Sequence, residues 1–124
     1  MDPIFVNKLE KNIYRQNFDI IKNIIKNIID EYIKSNDIYN LFKYLVEQYI
    51  FIIYNISFNN RNLISNSRIM LLKNPVKLSN KLMIKTNNYL KIIEYILFNY
   101  EYRYIDIKEF IVTYGDARLL KLFF

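Results

Sequence analysis

Three ten-residue stretches of this chain share one pattern, and that pattern limits the fold more than any other feature. Residues 37–46, 88–97 and 115–124 each begin on a turn-prone residue, Asp37, Asn88 or Gly115. Two apolar residues follow at offsets four and five: Leu41 and Phe42, Ile92 and Ile93, Leu119 and Leu120. A charged residue comes next, and an apolar pair closes the unit. Apolar pairs set one turn apart lie on one face of a helix. Ile20, Ile21, Ile24, Ile25, Ile28 and Ile29 continue the same i, i+3/i+4 rows, with Lys22, Asn23, Lys26 and Asn27 on the other side. A strand through those residues would bury lysine and asparagine, which outweighs the helix propensity lost to β-branching. The fold class is therefore all-α, and 124 residues make one helical domain, 1–124.

Local signals divide the helices. Residues 1–34 read as helical, with Pro3 suited to a first turn. Ser35, Asn36 and Asp37 form a turn with a capping oxygen. The helix after them runs on through residues 49–54, which are apolar all round and expected to be buried on most sides. A polar loop at 55–62 leads to a short helix at 63–73, stopped ahead of Pro75. Ser79 opens another short helix to Lys85, closed by Thr86, Asn87 and Asn88. Tyr89 to Asn99 is amphipathic, with Leu90, Ile93, Ile96 and Leu97 inward. Residues 100–106 alternate polar and aromatic, as a short strand or an extended connection would. A helix follows at 107–114, Gly115 stops it in the left-handed region, and residues 116–124 form the last helix.

What the chain lacks closes most enzyme classes. With no Cys there is no disulfide, thiolate nucleophile or thiolate ligand, and with no His there is no imidazole acid–base pair and no ordinary zinc site. One glycine excludes the glycine-rich phosphate loops. No cofactor is expected. The first residues carry no basic stretch leading into an apolar core, and the longest strongly apolar run, 49–54, is far short of the roughly 20 residues of a membrane span. An intracellular location, cytoplasmic or nuclear, is expected.

With these elements placed, the second half resembles ankyrin repeats, in which a helix ends at glycine and a short turn leads to a second helix rich in paired aliphatics. Phe110-Ile-Val-Thr-Tyr-Gly115-Asp-Ala-Arg-Leu-Leu-Lys-Leu-Phe-Phe matches that unit, with Gly115 at the inter-helix glycine. Residues 82–97 are similar to it again, with Asn88 in the glycine's place, the next most tolerant residue there. Lys43-Tyr-Leu-Val-Glu-Gln48 is similar to the second helix of divergent repeats encoded by large DNA viruses, and the wealth of Ile, Asn, Lys and Tyr fits an AT-rich genome. The resemblance implies stacked helical hairpins and a protein-binding scaffold. The three copies start 51 and 27 residues apart, against a family period of 33, so an irregular compact helical bundle is the other architecture.

Charge is unevenly spread. Residues 57–93 hold seven basic side chains, Arg61, Arg68, Lys73, Lys77, Lys81, Lys85 and Lys91, and no acidic one, so all of the chain's excess positive charge, +6 in total, comes from this segment. Such a stretch suits a phosphate backbone, and a solvated lysine-rich face is the plainer account. Among twelve tyrosines, Tyr95, Tyr100, Tyr102 and Tyr104 could stack on bases or anchor a protein, or simply line core edges. Asp106, Lys108 and either Glu109 or Glu94 faintly resemble the acid-x-lysine element of metal-dependent nucleases. Finally, Leu119, Leu122, Phe123 and Phe124 end the chain without a polar face. That edge must fold back on the Ile-rich N-terminal helix or be covered by another chain. The leading reading is a non-catalytic protein–protein interaction module, its partner another protein or a second copy; a nucleic-acid-binding subunit is the alternative.

Overall fold

The computed structural model describes residues 2–14, 16–54, 77–114 and 116–123. Among them are six helices and no strand: α1 (Pro3–Ile13), α2 (Phe18–Ile33), α3 (Ile38–Tyr54), α4 (Asn80–Asn99), α5 (Tyr104–Tyr114) and α6 (Ala117–Phe123). The expected loop at 55–62, the short helix at 63–73, the break at Pro75 and the stop at Gly115 lie outside the described residues.

α3 is the helix the others cover. Leu41, Phe42, Leu45, Val46, Tyr49, Ile50, Ile53 and Tyr54 are all buried, against α4 on one side and α5 on another. Asp37 opens it by accepting a hydrogen bond from the Tyr39 amide at 2.9 Å, satisfying a first-turn donor. The 49–54 run is buried on most sides, as expected, with Phe51 alone of its residues pointing to solvent.

Residues 1–34, expected as one helical stretch, are two helices with a break at 14–17. Phe5, Leu9 and Ile13 of α1 face inward, and so do Ile21, Ile25, Ile29 and Tyr32 of α2. The break leaves backbone carbonyls without helical partners. Asn88 takes two of them, its Nδ2 donating to the Ile13 oxygen at 2.9 Å and the Gln16 oxygen at 2.7 Å. Only one of the two isoleucine rows of α2 is buried; Ile20 and Ile24 are exposed, because α2 is covered from one side, by α1 and α4.

The largest departure from expectation is α4. No turn occurs at 86–88, so residues 82–97 do not supply a helix–turn–helix pair. Ser79 caps the helix through its Oγ, which accepts from the Leu82 amide at 3.4 Å, and the helix then runs twenty residues unbroken. Thr86 and Asn88, locally weak helix formers, are absorbed by other partners. The Thr86 hydroxyl donates to the Met83 carbonyl, and Asn88 is 1% exposed against α1. The inward face is Tyr89, Ile92, Ile93 and Ile96, with Leu90 and Leu97 only half-buried.

α5 starts three residues earlier than expected, so the connection shrinks to 100–103 and is extended at Tyr100. α6 begins at Ala117, close after the end of α5 at Tyr114. Asp116 caps it, with Oδ1 accepting from the Arg118 and Leu119 amides, both at 3.1 Å. Rather than folding back on α2, α6 packs on α4 and α5.

The Asn88 latch has a measurable sign. Asn88→Ala strands two carbonyls and is expected to cost about 2 kcal/mol in urea denaturation. Asn88→Asp sets a carboxylate against those carbonyls and is expected to cost more, about 3–4 kcal/mol. Equal or greater stability for the aspartate variant would remove the latch.

Candidate functional site

Two carboxylates do structural work inside the bundle. Glu10 of α1 accepts at Oε1 from the Tyr44 hydroxyl (2.6 Å) and the Tyr89 hydroxyl (2.5 Å), joining α1, α3 and α4. Its other oxygen is closed to solvent, accepts no directed hydrogen bond and faces the Lys85 ammonium at 3.1 Å. Asp116 is the second. While Oδ1 caps α6, Oδ2 accepts from Tyr49 at 2.7 Å and Tyr54 at 3.2 Å, and Arg118 lies over the Tyr49 ring. Burial, and then the carboxylate beside each phenol, holds Tyr44, Tyr49 and Tyr89 far above the ordinary tyrosine range, and pushes Tyr54 up to about 12.

A groove of about 800 Å³ opens between the N-terminus of α3, the 100–103 connection and α5. Tyr39, Tyr102, Ile107 and Phe110 give it an apolar floor, with the Phe110 ring edge-on to Tyr39 and Phe42. Four carboxylates, Asp37, Glu101, Asp106 and Glu109, line it with one cation, Arg103, whose Nε lies 3.4 Å from Asp106. Among the described residues Glu101 and Glu109 have no ion-pair or hydrogen-bond partner. Burial and then the Asp106 and Glu109 charges raise the Tyr39 phenol, so the negative potential reaches into the groove. A protein of net charge +6 thus keeps a strongly acidic recess.

α3 and α4 run antiparallel. The start of α3 and the residues after α4 share this groove, while Ile53 near the end of α3 shares a second recess, about 470 Å³, with Leu78, Met83 and Ile84 at the start of α4. Twenty residues of helix put about 30 Å between the two ends.

Of the expected polyanion contacts, the four among the described residues do not all share one exposed surface. Arg61, Arg68 and Lys73 lie outside the described residues. Lys77 and Lys81 are exposed together at the start of α4, with Lys81 over the Tyr14 ring at 5.2 Å. Lys85 turns inward to Glu10, and Lys91 is exposed ten residues beyond Lys81, about 15 Å along the helix.

Nor do the other candidates assemble. Asp106 and Lys108 sit two apart on a helix and so point about 200° from one another, and Lys108 lies over the Tyr104 ring instead. Among the described residues no three acidic, His or Cys side chains are grouped to hold a metal. The four tyrosines serve different places. Tyr95 donates to Asp30 and meets Tyr100 edge-on, Tyr100 has its hydroxyl buried without a hydrogen bond, Tyr102 lines the groove, and Tyr104 is exposed. Of the C-terminal edge, Leu119 is fully buried in this chain's own core, which takes it out of any interface; Leu122 is half-buried, Phe124 lies outside the described residues, and so does the Phe123 side chain.

Sequence reasoning missed the acidic groove, because Asp37 and Glu109 are far apart in the chain and only the fold brings them together. It also missed the exposed apolar side chains on the outer side of α5, Tyr104, Ile105 and Val112, because Asp106, Lys108 and Glu109 break up the apolar spacing there. No helix among the described residues is long and apolar enough to cross a membrane. Comparison with known protein families, with curated proteins and with solved structures finds no match to this chain.

Proposed function

We propose that this chain is a non-catalytic protein–protein interaction module, a helical scaffold that presents α5 and the groove beside it to another protein. One observation carries the reading: α5 exposes apolar side chains on the side turned away from the bundle, set around Lys108. Ile107, Phe110 and Ile111 are buried in the bundle, yet Ile105 is 62% and Val112 58% exposed on the outer side, next to an exposed Tyr104. Large apolar side chains grouped on an exposed face mark a surface suited to contact with another protein. The resemblance of the sequence over residues 110–124 to an ankyrin helix pair supports the same reading, since such pairs serve as binding scaffolds.

Cross-linking of the chain in an extract of its source, followed by mass spectrometry, tests this. The wild-type chain is expected to capture a protein in stoichiometric amount through α5, and Ile105→Asp/Val112→Asp to weaken that capture at least about tenfold, the equivalent of about 1.4 kcal/mol. Unchanged capture by the double variant would sink the reading. The nucleic-acid alternative draws support from Lys77, Lys81 and Lys91, all exposed on or beside α4. It requires binding to labelled RNA or DNA at low ionic strength that weakens steeply as salt rises, and it falls if no such binding is seen.

A further inference from the structure

We infer that the chain associates with itself head to tail, the acid-lined groove of one copy receiving Lys77 and Lys81 of the next. This rests on the interaction reading and names a second copy as one partner. The two surfaces complement each other in charge and in shape of contact. Four carboxylates against one guanidinium line the groove, with Glu101 and Glu109 unpaired among the described residues. At the far end of the same helices, Lys77 and Lys81 stand exposed beside Met83, itself 55% exposed and an adaptable apolar side chain able to reach the Tyr39–Phe110 floor.

Geometry narrows the mode. The ends lie about 30 Å apart, so one molecule cannot satisfy its own groove. A two-fold contact of groove against groove would oppose like charges. Groove and lysine end can pair either reciprocally across a two-fold axis, which closes at dimer, or head to tail, which propagates as open chains or closed rings; growth past dimer mass is the mark of the second, and a wild type that stops at dimer overturns it. Salt screens the pairing of lysine with carboxylate, so association is expected at low ionic strength, where that local pairing must exceed the repulsion between monomers of net charge +6.

Sedimentation velocity on the full chain, over a range of concentrations in about 20 mM and about 500 mM salt, reads this out. Wild type is expected to pass dimer mass with rising concentration at low salt and to return to monomer at high salt. Glu101→Gln/Glu109→Gln and Lys77→Gln/Lys81→Gln change exposed residues only, and each variant alone is expected to stay monomeric with unchanged circular dichroism. Mixed one to one, they are expected to form a dimer and stop there, since each retains the one surface the other lacks. A wild type that stays monomeric at low salt overturns the inference, and so does assembly indifferent to both variants. Low-salt material that absorbs at 260 nm and disappears with nuclease overturns it too, by giving the lysines to a polyanion. Ile105→Asp/Val112→Asp is expected to keep this self-association while losing capture of the other protein, so the two readings fail separately.

Discussion

Raising the pH above about 10 is expected to unfold this protein within about two pH units. Four phenols are the cause. Tyr44 and Tyr89 donate to Glu10, and Tyr49 and Tyr54 donate to Asp116, from surroundings that exclude most water. Ionising any of them sets a phenolate against a carboxylate in a poorly solvated place. The folded chain therefore keeps these protons where the unfolded chain, with ordinary tyrosines, gives them up near pH 10. Below pH 10 both states hold the protons and the contribution is complete. Above it the folded state binds more protons than the unfolded one, so stability falls as pH rises. Each tyrosine removes about 1.4 kcal/mol per pH unit, and four together remove about 5–6, against a total stability of about 5–15 kcal/mol for a domain of ordinary size. Tyr54, held at about 12, is the first of the four able to ionise without unfolding. Circular dichroism at 222 nm and tyrosinate absorbance at 295 nm should then change together for the buried phenols. A smooth titration of all tyrosines near pH 10 with the helix signal intact would show that the phenols are not held this way.

Glu10→Ala is expected to be the most damaging single substitution at neutral pH, costing about 3–5 kcal/mol. Two hydroxyls lose their acceptor at once, and Lys85, only 18% exposed at its side chain and set near the Tyr14 and Tyr89 rings, is left with a charge and no counter-ion. The predicted fall in melting temperature is about 12–20 °C for a chain of this length. The double variant Glu10→Ala/Lys85→Met should recover part of that loss, because it removes the orphaned charge and leaves a side chain of similar volume. A loss below about 1 kcal/mol for Glu10→Ala, or a double variant worse than the sum of the two single changes, would show that the cluster does not join α1, α3 and α4.

The elements that sequence reasoning placed well are those whose burial follows one local period. α3 was legible to within a residue: Asp37 signals its start, and Leu41, Phe42, Leu45 and Val46 mark its inner face. The helix α6 was legible for the same reason, from the spacing of Leu119, Leu120 and Leu122, though Asp116 is its cap and not its first residue. Reasoning failed where a residue's local chemistry and its tertiary partner disagree. Thr86 and Asn88 have short polar side chains that favour turns, yet Asn88 sits mid-helix because its amide meets carbonyls freed 72 and 75 residues away. The isoleucines of α2 show the opposite failure. Periodicity gives two adjacent rows equal claim to the core, and only the position of α1 and α4 chooses Ile21, Ile25 and Ile29 over Ile20 and Ile24. Among the candidate site residues, Lys85 could not be told from Lys81 by charge, though one is spent on Glu10 and the other faces solvent.

Helical character, the identity of the central helix and the exclusion of thiol and imidazole chemistry all follow from the order and kinds of residues alone, because each depends on spacing within a few turns or on a residue type being absent. The tertiary structure alone decided which carboxylates are locked to tyrosines, which lysines remain free, and that Asp37, Glu101, Asp106 and Glu109 share one groove. Those outcomes depend on pairs such as Glu10 with Tyr89 and Tyr49 with Asp116, separated by 79 and 67 residues. No local period encodes such a pairing; the packing of α1, α3, α4 and α6 around one apolar core creates it.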